Sequence, residues 1–156
     1  MTTIEPAATA ADLDHIRTLM RAYGASLTQN PTGAANICIQ GFEKEIVALP
    51  APYKLILLAK VAAQPAGCVA LKPITGGIEM KRLYVDPTHR GHSLGRKLIQ
   101  QSIAWARTQN YETMYLDTVP AAMPEANALY ERLGFQRVER YNDNPVPDVV
   151  FYRLIL

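Results

Sequence analysis

The sequence predicts an α/β domain built on a mixed β-sheet, with a bulge in a central strand and about four flanking helices. Three observations carry this reading. Strand-like and helical segments alternate through most of the chain, which is the signature of helices layered on a sheet. A strand, a glycine-bearing loop, a helix and a further strand follow in direct succession over residues 78–117, the pattern of a right-handed crossover between parallel strands. The strand at 78–85 also switches hydrophobic parity midway, with Ile78 and Met80 on one parity and Leu83 and Val85 on the other. The length of 156 residues, 49% apolar and 19% charged, suits one domain over residues 1–156 with a real hydrophobic core.

The elements follow in order. Leu13, Ile16, Met20 and Tyr23 recur at helical spacing, with Asp14, Arg17 and Arg21 off that stripe. Thr9, three residues before Asp12, is a start signal for this helix. Residues 29–40, with Asn30-Pro31 and Gly33, read as a loop. A short helix fits 42–49, with Phe42, Ile46 and Leu49 on one side and Pro50 stopping it. Strands are expected at 53–61 and 68–71 around the turn material at 63–67, and Gly76-Gly77 introduces the third, at 78–85. A regular strand cannot change faces, so this one is either buried on both faces or bulged near Lys81-Arg82. Two adjacent cations fit poorly in a doubly buried strand, which favours the bulge.

After Asp86-Pro87 and the glycine loop, a helix spans 93–110, with Leu94, Leu98, Ile99, Ile103 and Ala106 as its apolar face. Residues 113–117 form the next strand. Pro124 suits the first turn of a further helix, in which Ala126, Leu129, Tyr130 and Leu133 share a face and which Gly134 ends. The last strands are expected at 135–141 and 149–155, joined by Asn142-Asp143-Asn144-Pro145.

Composition excludes several functional classes. A formal charge of +2 without a clustered Lys/Arg stripe argues against a nucleic-acid partner. The longest apolar run, 55–59, is far too short to cross a bilayer. Residues 1–14 lack the basic and apolar regions of a secretory signal, so a cytoplasmic location is expected. Cys38 and Cys68 sit in hydrophobic surroundings without metal-ligand spacing and read as buried reduced thiols. His15, His89 and His92 also lack ligand spacing.

The loop Arg90-Gly91-His92-Ser93-Leu94-Gly95 lies directly between a strand and a helix. Glycines there let the backbone turn tightly and approach a ligand. The unpaired N–H groups and positive dipole end of the helix complete an anion site, with His92, Arg96 and Lys97 adding basic character. The spacing matches neither the nucleotide-triphosphatase loop nor the dinucleotide fingerprint. By its physics alone, the loop is as consistent with a connector as with a ligand site.

The stretch from Val85 to Leu98 resembles the acetyl-CoA signature of the GNAT superfamily of N-acetyltransferases, Gln/Arg-x-x-Gly-x-Gly/Ala between a strand and a helix. Leu129-Tyr130 to Gly134-Phe135 resembles that family's second hallmark, and the element order is similar over nearly the whole chain. The resemblance implies a GNAT-like fold. It also implies a cofactor site formed by backbone groups of Leu83, Tyr84 and Val85, by Arg90, Gly91, His92, Ser93, Leu94, Gly95 and Arg96, and by Asn127 and Tyr130. No metal is implied. Ser93 replaces a motif glycine, and its hydroxyl is available to cap the helix or meet a phosphate. Met123 stands where many relatives carry an asparagine.

The implied reaction is direct transfer of acetyl from acetyl-CoA to a primary amine of a small-molecule or amino-acid-like acceptor. In that reading Tyr130 donates a proton to the departing thiolate; its alternative is a core tyrosine on an apolar helix face. Glu79 is the candidate base, direct or through water, provided that it is desolvated; its alternative is a solvated glutamate paired with Lys81. Asp117 is the runner-up base. The acceptor would contact the 29–40 loop and the 142–148 turn. A non-catalytic acyl-CoA-sensing module is the competing function, and the resemblance is compatible with a homodimer that uses the final strand.

Overall fold

Two strands of the sheet run side by side and then part, and the rest of the fold is arranged around that gap. The computed structural model describes residues 1–29, 41–121 and 123–156, so all but the first residue of the expected 29–40 loop, and with it Cys38, lies outside the described residues. Seven strands, β1 (Thr2–Pro6), β2 (Leu55–Val61), β3 (Gln64–Ile74), β4 (Gly77–Val85), β5 (Thr113–Thr118), β6 (Gln136–Val138) and β7 (Val150–Ile155), form one sheet in the order β1-β2-β3-β4-β5-β7-β6. Only β4 and β5 are parallel; the other neighbours are antiparallel. Among the described residues four α-helices, α1 (Ala10–Thr28), α2 (Phe42–Ala48), α3 (Leu94–Thr108) and α4 (Pro124–Arg132), accompany the sheet.

Alternation along β2 explains both layers. Leu55 and Leu57 point into a core shared with Leu94, Leu98, Ile99 and Ile103 of α3 and Tyr130 of α4. Ile56 and Leu58 point into a second core with Ile16, Leu19 and Met20 of α1 and Phe42 and Ile46 of α2. Successive strand residues face opposite sides, so a strand covered on both faces reads as a continuous apolar run. Each fully buried Leu or Ile contributes roughly 1.5–3 kcal/mol. Cys68 is a buried free thiol in the second core, its pKa pushed up to about 12 by that burial.

Local signals place the helices. Thr9 Oγ1 accepts from the Asp12 N–H at 3.1 Å and Asp12 Oδ2 accepts from the Thr9 N–H at 3.3 Å, a reciprocal cap that starts α1. Pro124 occupies the first turn of α4, and Gly134, at φ +98°, follows its end. None of the described helices is long and apolar enough to cross a membrane.

Three expectations need correction. β1 was not foreseen: Thr2–Pro6 pairs along β2 with four of its five residues not buried enough to leave a hydrophobic pattern. β3 extends well beyond 68–71 on both sides. The strand expected at 135–141 keeps only Gln136–Val138; beyond it Arg140 Nη1 donates to the carbonyls of Asn142 and Asn144, and the chain turns away.

The bulge in β4 is present. Cys68 of β3 faces Tyr84 and Ala70 faces Lys81, so Val69 stands opposite both Arg82 and Leu83. Arg82 takes a left-handed backbone, φ +61°. On its other side β4 pairs with β5 only at Ile78↔Met114 and Glu79↔Tyr115. Beyond Glu79 the two strands diverge.

Candidate active site

The divergence of β4 from β5 opens two clefts that meet. One, about 760 Å³, is lined by Glu79, Lys81, Arg82, Asp117 and the 141–146 segment, among others. The second, about 790 Å³, is lined by Leu83, Tyr84, Val85, the 90–96 loop and α4. Tyr23, Leu27, Leu83 and Met123 line both, so the clefts join beside the bulge.

The second cleft gathers most of the residues that the loop motif nominates. Arg90, Gly91, Ser93, Leu94, Gly95 and Arg96 all line it, together with Leu83, Tyr84 and Val85. Gly91 has φ +90°, a conformation that costs a glycine nothing. The first intrahelical bond of α3 runs from Lys97 N–H to the Ser93 carbonyl, so the N–H groups of Leu94, Gly95 and Arg96 have no carbonyl one turn back. Arg90 Nε donates to the Val85 carbonyl at 3.2 Å, tying the loop to the end of β4. This donor set, N–H groups at a helix start flanked by two exposed arginines, fits a pyrophosphate.

Three nominated residues behave differently. Ser93 has φ +59° and its hydroxyl makes no capping bond, against the expected cap. Its backbone takes the left-handed form that the motif glycine would adopt without cost, so the substitution is felt as strain rather than as a new contact. His92 is exposed and lines neither cleft. Asn127 also lines neither cleft: it is 6% exposed, and its Nδ2 donates to Thr118 Oγ1 at 3.1 Å and the Met123 carbonyl at 2.8 Å. Its amide fastens α4 to β5, and its Oδ1 has no partner among the described residues.

The first cleft is chemically denser. Glu79 is 3% exposed, which excludes the solvated alternative. Its Oε2 accepts from Tyr141 Oη at 2.6 Å and Asn142 Nδ2 at 3.2 Å, while Oε1 lies 3.8 Å from Lys81 Nζ. Asn142 Nδ2 also donates to Asp117 Oδ2 at 2.7 Å, and Asn144 Nδ2 reaches the same oxygen at 3.3 Å. One amide therefore bridges the two candidate bases. The orientation of both amides is fixed, because Asn142 Oδ1 accepts from the Asn144 N–H and Asn144 Oδ1 from the Val146 N–H. Burial, reinforced by the hydrogen bond to Glu79, pushes the Tyr141 phenol far above its ordinary range.

Sequence reasoning reached Glu79, Asp117 and the 142–148 turn but missed Tyr141, which it placed in a strand. The run Asn142-Asp143-Asn144-Pro145 was the available signal, since Asx turns pull a chain out of strand geometry.

Tyr130, also nominated for the cofactor site, lines the first cleft and not the second; it is 5% exposed, with its ring 5.9 Å from Phe135 and 6.1 Å from Tyr152. Burial, and then the neighbouring Tyr23, raise its pKa well above that of a free phenol. Among the described residues no hydrogen bond holds its hydroxyl.

The fold and this site define the class, and comparison with known proteins agrees. Residues 16–135 match the model of the acetyltransferase (GNAT) family, and the chain belongs to that family. It is 42% identical over 106 residues to an uncharacterised N-acetyltransferase of Schizosaccharomyces pombe, covering 66% of this chain and 64% of that protein. The match thus spans somewhat under two thirds of the relative's own length. A structure of a candidate acyl-CoA N-acyltransferase from Klebsiella pneumoniae superposes with a TM-score of 0.76 at 29% identity, covering 100% of this chain and 98% of that one. The PaiA N-acetyltransferase of Thermoplasma acidophilum, solved with coenzyme A, shares the fold with a TM-score of 0.77 at 16% identity, covering 100% and 99%.

Proposed function

We propose that the protein transfers an acetyl group from acetyl-CoA to a primary amine of a small-molecule or amino-acid-like acceptor, with both substrates bound together. The observation that carries this reading is the meeting of the two clefts at the β4 bulge: a phosphate-suited cleft and a carboxylate-bearing cleft open onto the same point. Holding two reactants there turns a bimolecular encounter into an effectively unimolecular one.

Bound acetyl-CoA supplies the acetyl group as an activated thioester. The N–H groups at the start of α3, with Arg90 and Arg96, hold the pyrophosphate. Backbone groups of Leu83, Tyr84 and Val85, freed from pairing with β5, hold the pantetheine arm and polarise the carbonyl. The carboxylate pair of Glu79 and Asp117 attracts the acceptor ammonium and removes its proton, Glu79 directly or through water. The mixed lining, with Lys72 and Lys81 beside Glu79, Asp117 and Asp143, suits an acceptor that carries both charges.

Tyr130, on the wall of the carboxylate-bearing cleft, would supply a hydrogen to the leaving sulfur. Because its pKa is raised, it stays protonated at neutral pH. A thiol of pKa about 8.5 against a phenol of at least about 10 makes complete transfer uphill by at least about 2 kcal/mol. Tyr130 therefore acts chiefly as a hydrogen-bond donor to the charge developing on sulfur.

The test is release of free thiol from acetyl-CoA across a panel of amino acids, amino-acid amides, polyamines and amino sugars. Acceptor-dependent release supports an enzyme. Tight acetyl-CoA binding with no release for any amine would favour a sensing module instead.

A further inference from the structure

We propose that the Glu45–Arg82 ion pair is a positioning device for the acyl-CoA site, holding the β4 bulge in the shape that presents residues 83–85 to the cofactor. The inference rests on the acyl-CoA reading above.

Among the described residues, Arg82 is the one non-glycine residue inside a strand that adopts the left-handed backbone; the others with positive φ lie in turns or at element ends. That conformation is unfavourable for an L-residue with a side chain, and a bulge built on it persists only where the surroundings fix it. Here the surroundings are specific. Arg82 Nε donates to Glu45 Oε2 at 2.8 Å and Nη2 to Glu45 Oε1 at 2.9 Å, a two-pronged contact that fixes the plane of the guanidinium. The guanidinium lies 4.8 Å from the centre of the Phe42 ring. The Arg82 carbonyl is in turn approached by Cys68 Sγ at 3.5 Å.

The anchor at the far end is firm. Glu45 belongs to α2, which is fastened to α1 by Arg17, whose Nε donates to the Ile46 carbonyl at 3.1 Å, and by the 2.7 Å Arg21–Glu43 pair. The side chains of Arg82 and Glu45 are only 18% and 19% exposed, so the pair is weakly screened and strongly directional. The next residue along, Leu83, is the first of the three that line the cofactor cleft, and Tyr84 is braced by Tyr23 of α1 at 5.7 Å. The helical layer α1–α2 thus bears on the backbone beside the cofactor cleft, and the two-pronged Glu45–Arg82 contact is the part of it that grips the bulge residue itself. Neither residue needs to touch the acetyl group.

The test is calorimetric titration of the full chain with two probes: acetyl-CoA, and 3′-phospho-ADP, which ends at the pyrophosphate and lacks the pantetheine arm. Glu45→Gln, Arg82→Lys and Arg82→Gly are expected to weaken acetyl-CoA binding about tenfold or more, while 3′-phospho-ADP binding stays within about twofold of wild type. Arg82→Lys, which keeps the charge but not the fork, is expected to fall between wild type and Arg82→Gly. The glycine variant is the sharpest arm, because glycine accepts the left-handed backbone freely. Were backbone preference alone responsible for the bulge, Arg82→Gly would bind acetyl-CoA as well as wild type or better, and the inference would be wrong. Equal losses for both probes would also overturn it, since they indicate general destabilisation. Should Arg82→Gly fail to fold, Glu45→Gln decides by the same two-probe comparison. Wild-type protein that ignored acetyl-CoA would remove the functional reading and this inference with it. Wild-type binding with unaffected variants would remove the inference alone.

Discussion

Tyr141 donates its phenolic hydrogen to Glu79 across 2.6 Å, although the two residues are 62 positions apart in the chain. The contact pins the segment between β6 and β7 onto β4 and takes up one oxygen of the candidate base. A hydrogen bond to a charged group is worth about 1.5–3 kcal/mol. Tyr141→Phe should therefore lower unfolding stability by about that amount in urea melts. An unchanged midpoint would mean that the loop is held by its asparagines alone.

The same network orders the two carboxylates. Glu79→Gln should reduce kcat by about a hundredfold while leaving acetyl-CoA affinity near wild type. Asp117→Asn should act mainly on the acceptor KM, since Asp117 Oδ2 is held by Asn142 and Asn144. The reverse pattern, with Asp117→Asn abolishing turnover and Glu79→Gln nearly silent, would move the proton to Asp117.

Tyr130→Phe removes the donor at the leaving sulfur and little else, because the ring packing survives. We expect kcat to fall by about 10- to 100-fold, with acetyl-CoA binding within about twofold. Unchanged turnover would return Tyr130 to the role of a core tyrosine.

Much of this was legible in the chain. The parity switch between Met80 and Leu83 signalled the bulge, because side-chain alternation is a local pattern; the loop after Asp86 signalled a turn before a helix, and only the family resemblance made it a candidate anion site. β1 left no such trace: its only half-buried residue is Ile4, and an edge strand held by backbone pairing need not alternate. Tyr141 was hidden for another reason. Its partner Glu79 lies on a distant strand, and no spacing within residues 135–145 signals a tertiary contact. The Glu45–Arg82 pair is likewise a product of packing α2 against the bulge, invisible to either segment alone.

Ser93→Gly probes the departure within the glycine loop. A left-handed backbone costs an L-residue about 1–2 kcal/mol, and glycine offsets that with an entropy cost of about 0.5–1 kcal/mol. The variant should gain a few tenths to about 1 kcal/mol, seen as a higher melting temperature, with cofactor affinity equal or better. Lower stability would show that the Ser93 hydroxyl makes a contact that outweighs the strain.

Acid should expose the Glu45–Arg82 pair. Burial acts to raise the Glu45 pKa, but the hydrogen bond and charge of Arg82 outweigh it, and the carboxyl titrates below its ordinary 4.5. A carboxyl whose pKa is lowered on folding contributes stability that is complete above its unfolded value and is lost as pH falls through the lower, folded one. The stability gap between wild type and Glu45→Gln should therefore be constant near neutrality and close progressively below about pH 4.5. A gap that persisted undiminished down to pH 2 would contradict the assignment.

The most direct measurement is a crystal structure of the protein soaked or grown with acetyl-CoA. The account places the pyrophosphate against the N–H groups of residues 94–96 with Arg90 and Arg96 beside it. It places the thioester carbonyl within hydrogen-bond reach, about 2.7–3.2 Å, of a backbone N–H among residues 83–85, with Tyr130 Oη near the sulfur. Density for the cofactor outside the 90–96 loop, or a thioester on the far side of β4 from Glu79, would contradict it.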